Sequence, residues 1–337
     1  MTNGSKDRNN PTIDSLKGLL ICLVVIGHSF TVSPSENALR WAIYSFHMPV
    51  FIGLAGFLLN HSDLRSGTLS GIWEKYGVKV VVPWLIMFVA YNIIIHAGDR
   101  LSPDLIASSI LRPAYHTWYV PVFLSFIVIS YFISQVALFS AMIIAIVVGT
   151  AAMIAFGWGN YSGIWPGKLV IDRHYFTVAP YFFFGLWLRQ SGNAGLGNWG
   201  LGLALIAGAA FEACFFWHVG AMQFIPNLLL NIGLISTFPR LFAVKLRIPL
   251  IHLIGWNSLY FYLWHPLIIE ISKRTLYKRL PETLAAAVTV ALTFIVMFVG
   301  LALIERSSIL RLMSGVQAPR KNRPDALRNG RELPLVG

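Results

Sequence analysis

The sequence predicts an all-α fold: a polytopic integral membrane bundle of about ten transmembrane helices, with the N and C termini both cytoplasmic. Three observations carry this. Hydrophobic residues make up 56% of the 337 residues and charged residues only 12%, about half the charged share of a soluble domain, and mean hydropathy is +0.66. Apolar stretches that can cross a hydrocarbon core, about 20 residues each, recur from Leu16 to Ile304, with no polar block between them large enough for a soluble domain. The cations are also unevenly placed. With both ends inside, 17 Lys and Arg fall on the inner side and nine on the outer, as the positive-inside rule requires.

The expected spans are Leu16–Val32, Trp41–Leu59, Val78–Ile95, Trp118–Val136 and Leu138–Phe156, then Tyr175–Leu188, Trp199–Trp217, Phe224–Phe238, Pro249–Ile269 and Leu284–Ile304. The sixth and eighth are short. Residues 1–11 read as a disordered polar start, 12–305 as the membrane domain, and 306–337 as a basic cytoplasmic tail. That tail holds seven of the chain's 26 Lys and Arg. It suits anionic lipid rather than nucleic acid, because no nucleic-acid motif accompanies it. The cluster Lys273-Arg274 and Lys278-Arg279 falls on the outer side against the charge rule, as either a basic surface for an acidic partner or the sign of a miscounted span. The start lacks a clear Ala-x-Ala site, so the first segment reads as an uncleaved span rather than a signal peptide. Cys22 and Cys214 lie within apolar runs and read as core residues.

The first span carries the strongest chemical signal. At about 100° per residue, Lys17 and His28 lie nearly in line on one helical face, and Asp14 lies about 40° away. An imidazole at membrane depth needs a partner or a water-filled cavity. Lys17 and His28 are separated by about 16 Å along the axis, so a straight helix forbids a Lys–His hydrogen bond. One molecule that meets both must be long and polar at one end, as an acyl-coenzyme A is. A neutral His can then serve as general base on a hydroxyl or accept the acyl group itself.

Four further groups follow. His47-Met-Pro49 precedes a proline that can kink the second span and expose carbonyls, and Gly53 and Gly56 permit close helix approach. Lys75 and Lys79 open the third span on the inner side, where cations suit a phosphate-rich donor and equally suit interfacial anchoring. His116-Thr-Trp118-Tyr119 and Asp172-Arg173-His174-Tyr175 combine rings with polar tips, as a sugar site would. Trp118 and Tyr119 alone read as an interfacial aromatic belt. Asn257, Ser258 and His265 place hydrogen-bonding groups in the ninth span, with His265 before Pro266 expected near its far end. The acid Glu212 has no assigned role. The chain has no zinc-ligand spacing, nucleophile elbow or nucleotide-binding glycine fingerprint.

Taken in order, Asp14-Ser-Leu-Lys17 with His28, Phe46-His47-Met-Pro49, Trp118-Tyr119, Tyr181-Phe-Phe-Phe-Gly185 and Ser258-Leu-Tyr-Phe-Tyr-Leu-Trp-His265-Pro266 resemble the acyltransferase 3 family. The likeness is to its glycan O-acetyltransferases and fucose 4-O-acetylase-like members. It implies a bacterial inner-membrane enzyme that moves an acyl group, most often acetyl, from cytoplasmic acyl-CoA to a sugar hydroxyl of a surface or exported polysaccharide or its lipid-linked precursor. It implies a catalytic His28 and a functional Lys17, with Asp14 beside it. Acetyl-CoA or another acyl-CoA is the co-substrate, with no permanently bound cofactor and no metal. Expected partners are membrane lipids, a carbohydrate or lipid-linked glycan acceptor and glycan-assembly proteins, but no nucleic acid. Lys75 and Lys79 are the candidates for the donor, and His47, Trp118, Tyr119, Arg173, His174, Asn257 and His265 for substrate. The chain departs from the family in carrying Lys at the first basic position. It has Lys75-x-x-x-Lys79 where many members have Arg-x-x-Arg. Succinyl transfer is the nearest alternative. A glycan transporter is the alternative of another class, though no repeated half supports it.

Overall fold

The computed structural model describes residues 10–95, 102–111, 113, 117–162, 172–192, 195–218 and 223–318, and the regular elements among them are all helical. In chain order these are α1 (Pro11–Ser29), α2 (Ala38–Leu58), α3 (His61–Ser66) and α4 (Leu69–Ile72). A π-helix (Trp73–Val81) leads into α5 (Val82–Ile95), followed by α6 (Pro103–Leu111), α7 (Tyr119–Phe132) and α8 (Leu138–Ser162). Next come α9 (His174–Thr177), α10 (Ala179–Gln190), α11 (Asn198–Phe216), α12 (Phe224–Ser236) and α13 (Phe238–Leu241). The last are α14 (Pro249–Trp256), α15 (Ser258–Thr275), α16 (Glu282–Ile304) and α17 (Ser308–Ser314). Among the described residues six helical stretches are long and apolar enough to cross a membrane: Pro11–Ser29, Ala38–Leu58, Leu69–Ile95, Leu138–Ala155, Asn198–Phe216 and Glu282–Ile304.

Each of the ten expected spans overlaps a helix, with differences that have local causes. The third begins earlier, at Leu69, and winds as a π-helix where the Trp73 ring lies over Gly77. The fourth stops at Phe132, because Ile133 turns extended. The sixth divides at Val178, and Pro180 starts α10 with a φ already suited to a helix. The ninth is broken. Asn257 leaves helical geometry at φ −99° and ψ 31°. Its side chain donates to Leu253 O at 3.3 Å and accepts the Gln317 N–H at 3.0 Å, so it ties the segment after α17 to the break. Residues 1–9 and 319–337 of the expected terminal segments lie outside the described residues, as does His116.

Glycines set which helices touch. A Cβ on Gly18 would strike the Ile251 carbonyl, and one on Gly255 would strike the Asp14 carbonyl, so α1 and α14 meet backbone to backbone. Gly56 meets the Phe182 carbonyl and Gly185 meets that of Gly53, which joins α2 to α10 in the same way. Gly149 receives the Pro180 ring between α8 and α10. Small residues gain dispersion contact for helices that have no hydrophobic drive to associate in lipid. Around this core, apolar side chains such as Ile144, Val147, Ile206 and Val299 remain exposed on outward faces.

Proline and asparagine divide another task. Pro49 has no N–H, so the Ser45 carbonyl one turn back loses its helical donor. Asn227 Nδ2 and Asn231 Nδ2 from α12 both donate to it at 2.8 Å. The carbonyl that Pro49 frees is thus bonded across helices.

Before α9, Asp172 Oδ1 accepts the His174 backbone N–H at 2.8 Å and lies 2.5 Å from His174 Nδ1. Burial works to raise the Asp172 carboxyl, but the His174 hydrogen bonds and charge, with Arg173 beside it, outweigh burial and hold it below the ordinary aspartate value. A carboxylate held down in this way adds stability that is complete above the ordinary aspartate range and is lost as pH falls through the folded value. Asp172→Asn is therefore expected to cost about 1–2 kcal/mol at neutral pH, and thermal unfolding in detergent should show the two proteins converging only in strong acid. Gly255→Ala should cost at least about 2 kcal/mol, because the obstacle is backbone and cannot yield. Gly202→Ala, where nothing lies within 4 Å of the added carbon, should leave the same unfolding temperature unchanged or slightly raised.

Candidate active site

Three helices bring imidazoles together around His28. Its Nδ1 lies 2.6 Å from the Tyr44 hydroxyl of α2. The His265 ring of α15 stacks near it with centroids 5.8 Å apart, and the His47 ring of α2 lies edge-on at 6.5 Å. Gly27 makes this possible, because the Tyr44 ring sits 2.9 Å from where a Cβ would be. His265 lies midway along α15, which runs on to Thr275.

The three rings are held differently. His47 Nδ1 lies 2.6 Å from the Ile43 carbonyl and His265 Nδ1 lies 2.9 Å from that of Phe261. A carbonyl oxygen only accepts, so both nitrogens carry a proton and only Nε2 is left to exchange one. The Nδ1 of His28 instead faces a hydroxyl, which can give or take. Arg40, one turn before Tyr44, donates to its oxygen at 3.3 Å and lies 5.1 Å over its ring. The exit from α1 is pinned beside them. Glu282 Oε1 accepts the Thr31 N–H and hydroxyl at 2.9 Å and the Val32 N–H at 3.1 Å, while Arg40 donates to the Val32 carbonyl.

At the other end of α1, Asp14 is buried, and Lys17 Nζ donates to it at 3.3 Å. His252 Nε2 of α14 lies 3.6 Å from the second carboxylate oxygen. Lys17 therefore stands three turns from His28 with its ammonium held by Asp14. It lines a cavity of about 300 Å³ with Phe51, Leu54, Tyr119, Tyr262 and Gln317. The inner wall approaches the imidazoles, since Phe51 is one turn beyond His47 and the Tyr262 ring is 6.1 Å from that of His265. A second cavity, of about 360 Å³, lies on the far side. Tyr44 lines it with Trp41, Arg173, His174, Phe211 and Asn227. The His28 cluster adjoins both, through Tyr44 on one side and Tyr262 on the other.

The remaining candidates separate. Trp118 stacks flat on His174 at 3.7 Å, and Tyr119 walls the Lys17 cavity. Both rings are buried, at 6% and 8% exposure. Neither faces lipid, which corrects the reading of an aromatic belt. Asn257 is buried at the helix break, away from the His28 cluster in its bonding. Lys79 is exposed on the π-helix, and the side chain of Lys75 lies outside the described residues. Among the described residues, no group of three His, Cys, Asp or Glu is arranged to hold a metal ion.

Sequence reasoning missed Arg40, Tyr44, Asn227, His252 and Glu282. A signal existed for the first two, because positions 40, 44 and 47 share a helical face by their i, i+4, i+7 spacing. The other three come from distant helices, and nothing local marks them.

Comparisons with known proteins place the chain in a family. The nodulation protein NolL of Sinorhizobium fredii is 33% identical over 81 residues, 22% of each chain. NolL of Mesorhizobium japonicum is 26% identical over 162 residues, 43% of this chain and 40% of the relative. The chain thus spans less than half the length of these curated relatives. No solved structure matches. Residues 10–304 match the acyltransferase domain of the acyltransferase 3 family. That match takes in most of the chain, and with its long apolar helices the protein is a multi-pass membrane member of the acyltransferase 3 family.

Proposed function

We propose that this protein moves an acyl group, acetyl foremost, from acyl-CoA to a hydroxyl of a surface or exported polysaccharide or its lipid-linked precursor. In this reading it sits in the bacterial inner membrane with ten spans and both termini cytoplasmic. The observation that supports it is that the His28 cluster adjoins two cavities, one carrying Lys17 and Tyr262 and the other carrying Tyr44, Arg173 and His174. A donor with phosphates at one end and a thioester at the other enters from the Lys17 side. Lys17, steadied by Asp14, meets its charge, with Lys75 and Lys79 at the membrane surface. Its arm runs past Tyr119 and Tyr262 toward the imidazoles. The acceptor sugar lies in the other cavity, where Trp41 and Phe211 offer ring faces and Arg173, His174 and Asn227 offer polar groups. His28 takes up the proton of the attacking hydroxyl, while His47 and His265 flank it and the thiol leaves on the donor side.

Succinyl transfer would use the same route, and offering both CoA donors in one assay separates the two. With purified protein and labelled acetyl-CoA, His28→Ala should lower transfer by about 10²–10⁴-fold. Lys17→Ala should raise KM for acetyl-CoA several-fold yet leave KM for acetyl-pantetheine, which lacks the nucleotide, within twofold. Undiminished transfer by a folded His28→Ala protein would end the assignment.

A further inference from the structure

We propose that Tyr44 is a catalytic proton relay, carrying the acceptor's proton to His28, with Arg40 as its positioning residue. The proposal rests on the acyl-transfer reading above. Tyr44 both touches His28, at 2.6 Å, and lines the cavity assigned to the acceptor. His28 lines neither of the two cavities described. A hydroxyl bound beside Arg173 and Asn227 therefore meets the phenol first.

The hydrogen bonds leave the phenol the right valences. Arg40 can only donate, so it occupies one lone pair of the Tyr44 oxygen and leaves the Tyr44 proton available to His28 Nδ1. The other two imidazoles of the cluster cannot pass a proton from one ring nitrogen to the other, because their Nδ1–H groups are committed to carbonyls. In the step, the acceptor hydroxyl gives its proton to the Tyr44 oxygen as the Tyr44 proton passes to His28 Nδ1. The acceptor oxygen bonds to the thioester carbonyl carbon, and the carbon–sulfur bond breaks. The departing thiolate takes the proton from His28 Nε2. Acceptor and acyl-CoA become ester and free thiol with no further reactant, and the ring regains its starting tautomer by exchange with water. Protons thus move toward the donor as the acyl group moves toward the acceptor. The guanidinium stabilises the negative charge that builds on the phenol oxygen during the exchange.

Two small acceptors test this with the full-length protein and labelled acetyl-CoA. Methanol must lose its proton to react, whereas hydroxylamine is nucleophilic at neutral pH without a base. Tyr44→Phe should lower transfer to methanol about 100-fold while transfer to hydroxylamine stays within threefold. Arg40→Gln should lower kcat for methanol about tenfold with KM for acetyl-CoA unchanged. Equal losses on both acceptors would show a merely structural tyrosine and overturn the relay. So would equal retention on both, or a wild type that accepts hydroxylamine but not methanol. If the wild type acylates neither probe, the acyltransferase reading itself falls and the relay falls with it; if His28→Ala acylates both normally, the role of His28 falls and takes the relay with it.

Discussion

Backbone contact between α1 and α14 is the constraint on which the rest of the structure depends. Gly18 and Gly255 let the two helices meet with no side chain between them. That contact seats the carboxylate of Asp14 within reach of His252 and leaves Lys17 turned toward its cavity. It also fixes the height of His28, three turns along the same rigid rod. A shift of one helix against the other would move both ends of the proposed reaction path together. The first turn of α1 is tied to the loop before α14 as well. Asn10 donates to the Phe242 carbonyl, and the Thr12 hydroxyl accepts the Leu246 N–H. At the other end of α1, Gly27 does for α2 what Gly18 does for α14, admitting the Tyr44 ring beside His28.

Polar groups within this bundle fall into two kinds. Some complete the architecture, as Asn227 and Asn231 do for the carbonyl freed by Pro49, and as Asn257 does for the broken ninth span. Such groups have fixed partners that leave no proton to exchange. The pair His28 and Tyr44 differs because each partner can be donor or acceptor. In a medium where an unsatisfied polar group costs several kcal/mol, this part-buried hydrogen bond satisfies both groups in either direction, which suits the proton transfer proposed above.

Much of the fold was legible from hydropathy alone, since helices are the simplest way for a chain in lipid to satisfy its own backbone. The face bearing Asp14, Lys17 and His28 was legible because a single helix sets its geometry. What the sequence concealed is tertiary. Trp118 and Tyr119 have the composition of an interfacial belt, yet neighbouring helices bury them, and Trp118 becomes the floor for His174. Asn257 has the polarity of a substrate ligand, but its two bonds go to backbone at a helix break. Glu282 and His252 act on residues more than two hundred positions away, a separation that no local pattern encodes.

The pairing of Gly18 with Gly255 also has a consequence in time. The two glycines are separated by about 240 residues of chain, which a ribosome needs about 12 to 50 s to make. Throughout that interval the Asp14 end of α1 lacks His252 and the α14 backbone, while His28 already has Tyr44, only 16 residues further on. The early bundle must shelter that end with water, lipid headgroups or an insertion chaperone. The Asp14 end of α1 is thus made long before the helix that encloses it.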